Sequence, residues 1–254
     1  MAIIAKIVAA VTRNFYPRGT QRILRAFFGP KRLKIKGVMR YDKNLLINFD
    51  TSSYVEWELF FRGYYEKWVI DAIKKIIKPG FIALDVGANI GTHALIMGKA
   101  VGESGKVLAF DPHPESAVRL KANINLNNFL NIEVLGLALS DKIGKMTLFS
   151  YGNELTDHGT ASLYDLPRLQ KKGVEVPVST IDAIVKEKNL NRLDFIKIDT
   201  RGSDFPIILG AKASVKKFAP IVVFEYNKEN WNHSASKWEA AKAFLMKIIT
   251  ACIL

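Results

Sequence analysis

Four acidic residues follow apolar runs along this chain. Asp85 follows Phe81-Ile82-Ala83-Leu84, Asp111 follows Val107-Leu108-Ala109-Phe110, Asp199 follows Phe195-Ile196-Lys197-Ile198, and Glu225 follows Ile221-Val222-Val223-Phe224. One such acid could simply cap the next helix. Four of them point to the crevice at the carboxyl edge of a parallel sheet, where α/β proteins bind ligands. Asp85 also leads into Val86-Gly87-Ala88-Asn89-Ile90-Gly91, a glycine-bearing turn that opens onto a helical pattern at Thr92. Glycine there gives the backbone positive φ and a close approach to a ligand. The segment predicts a site for an adenosine-containing cofactor, with Asp85, Gly87, Ala88, Asn89 and Gly91 forming its turn. Asp111, 24 residues after Gly87, is placed to take ribose hydroxyls, with a cap on the helix near Pro114 as its competing role.

The turn also discriminates between cofactors. A dinucleotide fingerprint wants a second glycine, Gly-x-Gly, to admit a pyrophosphate. Asn89 stands at that position. Asp85 just before the turn would repel a pyrophosphate and attract an ammonium group. S-adenosylmethionine has no phosphate and carries a cationic methionyl amine, so it is the expected cofactor rather than NAD. Ala138 to Asp141, just beyond the third strand, is where topology would hold the adenine.

Methyl transfer needs in-line positioning of the acceptor and a base wherever that acceptor must lose a proton. Candidate bases are Asp199, His158 and Asp204. His158 lies beside Asp157 in the polar stretch Tyr151 to Leu163, where an exposed loop histidine is the competing reading. His93 reads as a helix-start residue, and Glu225 either supports the site or pairs with a lysine. Asp199 and Asp204 are a weak metal signal at this spacing, and no metal is expected.

Taken in order, these motifs resemble the FkbM-type S-adenosylmethionine-dependent methyltransferases. Asp85-Val86-Gly87-Ala88-Asn89-Ile90-Gly91-Thr92-His93 is similar to that family's first motif, and Phe110-Asp111-Pro112 to its second-strand Phe-Glu-Pro. Ala138-Leu139-Ser140-Asp141, followed by Gly144 and Thr147-Leu148, resembles the segment after its third strand. Ser179-Thr180-Ile181-Asp182, then Asp194 to Asp199, and Val223-Phe224-Glu225-Tyr226 complete the order over about residues 80–230. The resemblance implies a class I methyltransferase fold and, most often, O-methylation of a sugar or natural-product hydroxyl. One position departs from it. Where the family continues Lys-Ile-Asp-Val-Glu-Gly, this chain reads Lys197-Ile198-Asp199-Thr200-Arg201-Gly202. Arg201 reverses a charge beside the expected reaction centre, which fits either an anionic substrate or a cofactor-binding protein that has lost activity.

The elements that must position these residues follow from periodicity. From Phe81 the pattern alternates: strand 81–86, helix 91–101, strand 106–110, helix 114–127, strand 132–137. A hairpin-like insertion through Met146-Thr147-Leu148-Phe149 follows, then helix 179–188, strand 195–198, helix 203–217, strand 220–224 and helix 236–247. Near-continuous apolar strands alternating with helices predict an α/β fold, a Rossmann-like parallel sheet with helices on both faces. Ile248 to Leu254 has room for one more strand but for none after it, so the sheet is expected to be incomplete at an edge. Before it, residues 1–78 read as an extension: a basic helical stretch interrupted at Pro17 and Gly19, two short strands over 34–39 and 44–49, and an aromatic-rich helical region over 56–77 broken near Gly63. The methyltransferase domain is expected over 79–254.

Composition narrows the partners. The chain has 254 residues, a net charge of +13 and a single cysteine, Cys252, which excludes an intrachain disulfide framework and fits a cytoplasmic protein. Residues 1–41 hold ten Lys or Arg and no acid before Asp42. A solvated basic face, contact with an anionic membrane or glycolipid at the inner membrane surface, and nucleic-acid contact all compete as readings of that charge. The apolar start, Ala2 to Val11, is too short to span a bilayer. A hydroxylated small molecule or glycan is the expected acceptor, with RNA as an alternative. Base-methylating enzymes often carry Asn/Asp-Pro-Pro-aromatic after the fourth strand, and Asp199-Thr200-Arg201-Gly202 counts against that here.

Overall fold

In the computed structural model, residues 1–30, 32–149, 162–163, 173–225 and 235–248 are described. Five strands form the central sheet: β3 (Ile82–Val86), β4 (Lys106–Phe110), β5 (Ile132–Leu135), β9 (Phe195–Ile198) and β10 (Ile221–Phe224). Every pairing is parallel, in the order β10-β9-β3-β4-β5. The chain therefore runs outward from β3 in one direction and returns to its other side through β9. That reversal opens a crevice at the carboxyl ends of β3 and β9.

Side chains alternate across the sheet, and the two faces differ in size. Ala83, Val107 and Ala109 face one way and pack with α4 (Lys67–Ile76), α5 (Thr92–Val101) and α6 (Pro114–Leu126). Leu84, Val86, Leu108, Phe110, Ile196 and Ile198 face the other, against α7 (Ile181–Glu187), α8 (Asp204–Leu209), α9 (Lys212–Phe218) and α10 (Ala235–Ile248). Helices thus cover both faces of a Rossmann-like sheet, as the alternating pattern predicts. Ile248 belongs to α10, and residues 249–254, which leave room in sequence for an edge strand, lie outside the described residues.

Two elements differ from the sequence expectation. The single helix over 203–217 is two helices, α8 and α9, separated at Gly210. A side chain there would meet the Ser140 carbonyl oxygen at 2.1 Å. Asp182, at the start of α7, then caps α9 by accepting from the backbone N–H groups of Ala213 (2.9 Å) and Ser214 (2.7 Å). The third strand ends at Leu135, before the expected 137. Ala138–Leu139 forms its own short strand, β6, beside β8 (Gly173–Ser179), which pairs antiparallel with β7 (Gly144–Phe149). The insertion is therefore a three-stranded sheet of order β6-β8-β7 with a small core of Ala138, Leu148, Leu163, Val176 and Val178.

The extension holds α1 (Ala2–Thr12), α2 (Thr20–Phe28), the antiparallel pair β1 (Lys36–Tyr41) and β2 (Leu45–Asp50), and α3 (Tyr54–Arg62), before α4. Gly63, with φ of 78°, ends α3 by donating its N–H to Leu59 O, which is why the aromatic region breaks there. Trp57, Phe60 and Phe61 of α3 join the same core as Ala83, Ala94 and Leu95 of the sheet domain. The change near residue 78 is one of architecture, and a single hydrophobic core runs across it.

Candidate active site

The glycine turn is fixed by backbone hydrogen bonds to β4. Gly87 N and Ala88 N both donate to Phe110 O, at 3.0 and 2.9 Å. Gly87 has φ of +80°, and a side chain on it would lie 2.0 Å from Asp199 O. The turn and the loop after β9 touch there, so only glycine fits. Asn89 is also left-handed, at φ of 49°, a conformation that Asn tolerates better than most residues. Its backbone N–H donates to Asp111 Oδ2 at 2.8 Å, and His113 N donates to Asp111 Oδ1 at 2.9 Å. Burial pushes the Asp111 carboxyl up to about 6 despite these two donors. The sequence offered Asp111 two roles, a cap before α6 and a ribose ligand. The first is seen, and each oxygen keeps acceptor capacity for the second.

A cluster of charges lies beside the turn. Asp85 of β3 and Lys197 of β9 are register partners on neighbouring parallel strands, so their side chains share the sheet face that carries α5. Lys197 Nζ stands 3.2 Å from Asp85 Oδ1 and 3.4 Å from Asp199 Oδ2. Burial works against the charge on Lys197, but Asp85, Asp199 and Glu66 outweigh it and hold the ammonium charged. Asp85 is wholly buried, which pushes its carboxyl up against the pull of Lys197. The ammonium that Asp85 attracts is therefore that of Lys197. Asp85 is linked to the crevice through Lys197 and Asp199.

The extension supplies groups that sequence reading missed. Glu66 sits at φ of 47° just before α4, and its Oε2 lies 3.7 Å from His93 Nε2. Burial, with the Asp199 charge adding, pushes Glu66 up to about 7. Burial and the nearby Lys197 hold His93 far below its ordinary value, so its imidazole is neutral. Tyr65, whose ring centroid lies 6.4 Å from that of His93, is also pushed up by burial. Two further contacts brace the turn from the extension. Tyr41 OH donates to Thr92 O at 2.8 Å, and buried Asn123 donates to Ile90 O at 2.8 Å while accepting from Asn48 N. One signal for Lys197 was visible: a lone charge inside a short, otherwise apolar strand. Nothing local marked Glu66.

The remaining predicted residues divide. Asp199, at the mouth of the crevice with a partly exposed side chain, joins Asp85, Gly87 and Lys197. Asp204 begins α8 but is buried, accepts from Gly202 N at 3.3 Å, and is pushed up to about 7 by burial and the Asp199 charge. Its carboxyl thus lies buried within the field of Asp199 and Glu225. Gly91, at φ of +96°, packs so closely on Leu120 that a side chain would meet Cδ1 at 2.6 Å. Ala138 turns its side chain into the small core of the insertion, which leaves its backbone as the part open to a ligand. His158 and Asp157 lie outside the described residues. Ser162, close by in sequence, pairs with Phe149 and donates its hydroxyl to Arg201 O at 3.0 Å, tying the insertion to the loop after β9. Arg201 itself is left-handed, at φ of 46°.

The donor set tests the cofactor. Glu66, Asp85 and Asp199 surround one ammonium, beside a neutral imidazole, so the cluster is acid-rich even with Glu66 about half protonated near pH 7. That suits a ligand bearing positive charge and no phosphate, and S-adenosylmethionine fits it with its ammonium and sulfonium groups. Among the described residues, no group of three or more His, Cys, Asp or Glu is arranged to hold a metal ion.

Comparison with known proteins gives the family. The sequence pattern of the Methyltransferase FkbM domain matches residues 85–249. The chain is 25% identical to the AMB antimetabolite synthetase AmbE of Pseudomonas aeruginosa over 217 residues, which are 72% of this chain and 10% of that protein. It is 26% identical to the methyltransferase sdnD of Sordaria araneosa over 154 residues, 50% of this chain and 59% of the other. The chain thus spans only part of the length of these relatives. A solved FkbM methyltransferase from Methylobacillus flagellatus KT superposes with a TM-score of 0.44 and 14% identity, over 74% of this chain and 46% of the other. With the family's pattern running from Asp85 through the sheet and into the last helix, this chain belongs to the FkbM methyltransferases, whose methyl donor is S-adenosylmethionine.

Proposed function

We propose that the protein transfers a methyl group to a hydroxyl of a sugar, a glycolipid or another natural product. The observation that carries this reading is the pair of partly exposed carboxylates, Asp199 and Glu66, beside the glycine turn. The match to a segment of an antimetabolite synthetase supports a small-molecule acceptor. When bound, S-adenosylmethionine supplies an electrophilic methyl on a sulfonium. Asp111 at the end of β4 holds the ribose hydroxyls, and the backbone of 138–141 lines the adenine side. Lys197 orients Asp199 by ion pairing and keeps Asp85 from standing as an uncompensated buried charge. Burial, with the Asp199 charge adding, raises the Glu66 carboxyl to about 7. A carboxyl in that range is poised near neutral pH to exchange a proton with an acceptor hydroxyl.

Calorimetric titration with S-adenosylmethionine and S-adenosylhomocysteine tests the first half of this reading. Absence of binding to the folded chain would sink it. Transfer of a labelled methyl group to hydroxylated glycan, lipid and small-molecule extracts tests the second half. Asp199→Asn is expected to bind the cofactor more weakly and, at saturating cofactor, to lose transfer by roughly a hundredfold or more, as for loss of a general base. Binding without transfer to any extract would favour a cofactor-binding protein that has lost activity, with Arg201 as the residue to revert.

A further inference from the structure

We infer that the first two helices form a docking surface for an anionic lipid bilayer. Ala5, Ala9 and Thr12 turn inward from α1 onto α3, and the Thr12 hydroxyl donates to Phe61 O at 2.6 Å. Arg13 Nε donates to Phe60 O at 2.9 Å. The helix is therefore fastened to the protein by its small and polar face. Its opposite face carries Ile3, Ile4, Ile7 and Val11 at helical spacing, each more than half exposed. Phe15, then Ile23 and Phe27 of α2, are exposed as well. This is the reverse of the usual arrangement, in which a surface helix buries its branched aliphatic stripe.

The charge around this surface identifies its occupant. Lys6, Arg18, Arg22 and Lys34 are exposed among ten Lys or Arg in residues 1–41, with no acid before Asp42. An interfacial helix needs an apolar face that enters the acyl boundary and cations that meet anionic headgroups, and both are present. A second copy of the chain would bring the same cations against one another. A nucleic acid would use the cations but gain nothing from exposed isoleucines. No helix among the described residues is long and apolar enough to cross a membrane, so the contact is peripheral.

Vesicle flotation of the full chain tests this. We expect binding to vesicles of phosphatidylcholine mixed with phosphatidylglycerol, weakened by salt, and little binding to phosphatidylcholine alone. Ile4→Glu with Ile7→Glu is expected to lower the bound fraction roughly tenfold. Both side chains are exposed, so thermal melting should be unchanged and separates lost docking from lost fold. Arg18→Glu with Arg22→Glu should remove most of the salt-sensitive part. No binding to the mixed vesicles at low salt overturns the inference, as does equal binding by the Ile4/Ile7 variant. Sedimentation velocity supplies the other check. A concentration-dependent dimer abolished by Ile4→Glu with Ile7→Glu, in a chain that ignores vesicles, would assign the surface to a second copy instead.

Discussion

Glu56 and Asp85 are both buried carboxylates, and their surroundings differ in balance. Glu56 of α3 receives the guanidinium fork of Arg119 from α6, with one arm at 2.6 Å, and accepts from Asp50 N at 2.5 Å. Donors and acceptors match, and the pair fastens the extension to the sheet domain. Burial alone would push Glu56 up strongly, and Arg119 opposes it. Asp85 shares a single ammonium with Asp199, while Glu66 adds a third carboxylate to the same field. One grouping is complete without a ligand, and the other is short of positive charge. Burial of an acid therefore says little by itself about function. The charge left over after the protein's own partners are counted says more.

The contrast can be broken most directly at the balanced pair. Glu56→Ala leaves Arg119 partly buried without its partner and frees Asp50 N, which should lower stability by about 3 kcal/mol. Chemical denaturation measures this, and cofactor affinity of the folded fraction should stay the same. Asp85→Asn should behave in the opposite sense. Lys197 keeps Asp199, the buried anion is gone, and stability should change by less than about 1 kcal/mol. Cofactor affinity should fall roughly tenfold, because the crevice loses negative charge and Lys197 shifts toward Asp199. Equal losses of stability in the two variants would show that the distinction has no functional content.

Asp111→Ala sharpens the comparison at a third acid, one that is both structural and open. It should weaken S-adenosylmethionine binding about fivefold, as for the net loss of one ordinary hydrogen bond. The fold should persist, since Asn89 N and His113 N are the donors released. Unchanged affinity in calorimetry would return Asp111 to its capping role alone.

Much of this arrangement was legible in the chain. The acids at strand ends, the Asn89 turn and the alternation of elements require only local pattern, and the structure places them as that pattern predicts. The failures come from contacts distant in sequence. Gly210 breaks a helix because Ser140, some 70 residues earlier, presses on it, and Asp182 then caps α9 beyond the break. Pairing with β8 turns the Ala138 side chain into the core of the insertion, an orientation that its neighbours in sequence do not reveal. Glu66 was invisible because its chemistry comes from a left-handed backbone and from Asp199 and His93, none of which its neighbours in sequence reveal.

The smallest effect separates the two groupings by pH. Glu66 and Asp204 are raised to about 7, so both bind protons in the folded state that the unfolded chain, with ordinary carboxylates, does not. The stability linked to those protons is complete below the unfolded carboxyl range and is lost as pH rises through about 7. Moving from pH 8 to 7 should therefore raise stability by about 0.7 kcal/mol, or one to two degrees in melting temperature. Below about 6.5 the buried neutral His93 opposes this, because the unfolded imidazole then takes the proton. Cofactor affinity should run the other way, weakening as pH falls, since protonating Glu66 removes the negative charge that favours a cationic ligand. Glu66→Gln should reduce both slopes while leaving melting at pH 7 nearly unchanged. If both slopes survive in that variant, the titrating group lies elsewhere, and Asp204 becomes the next to replace.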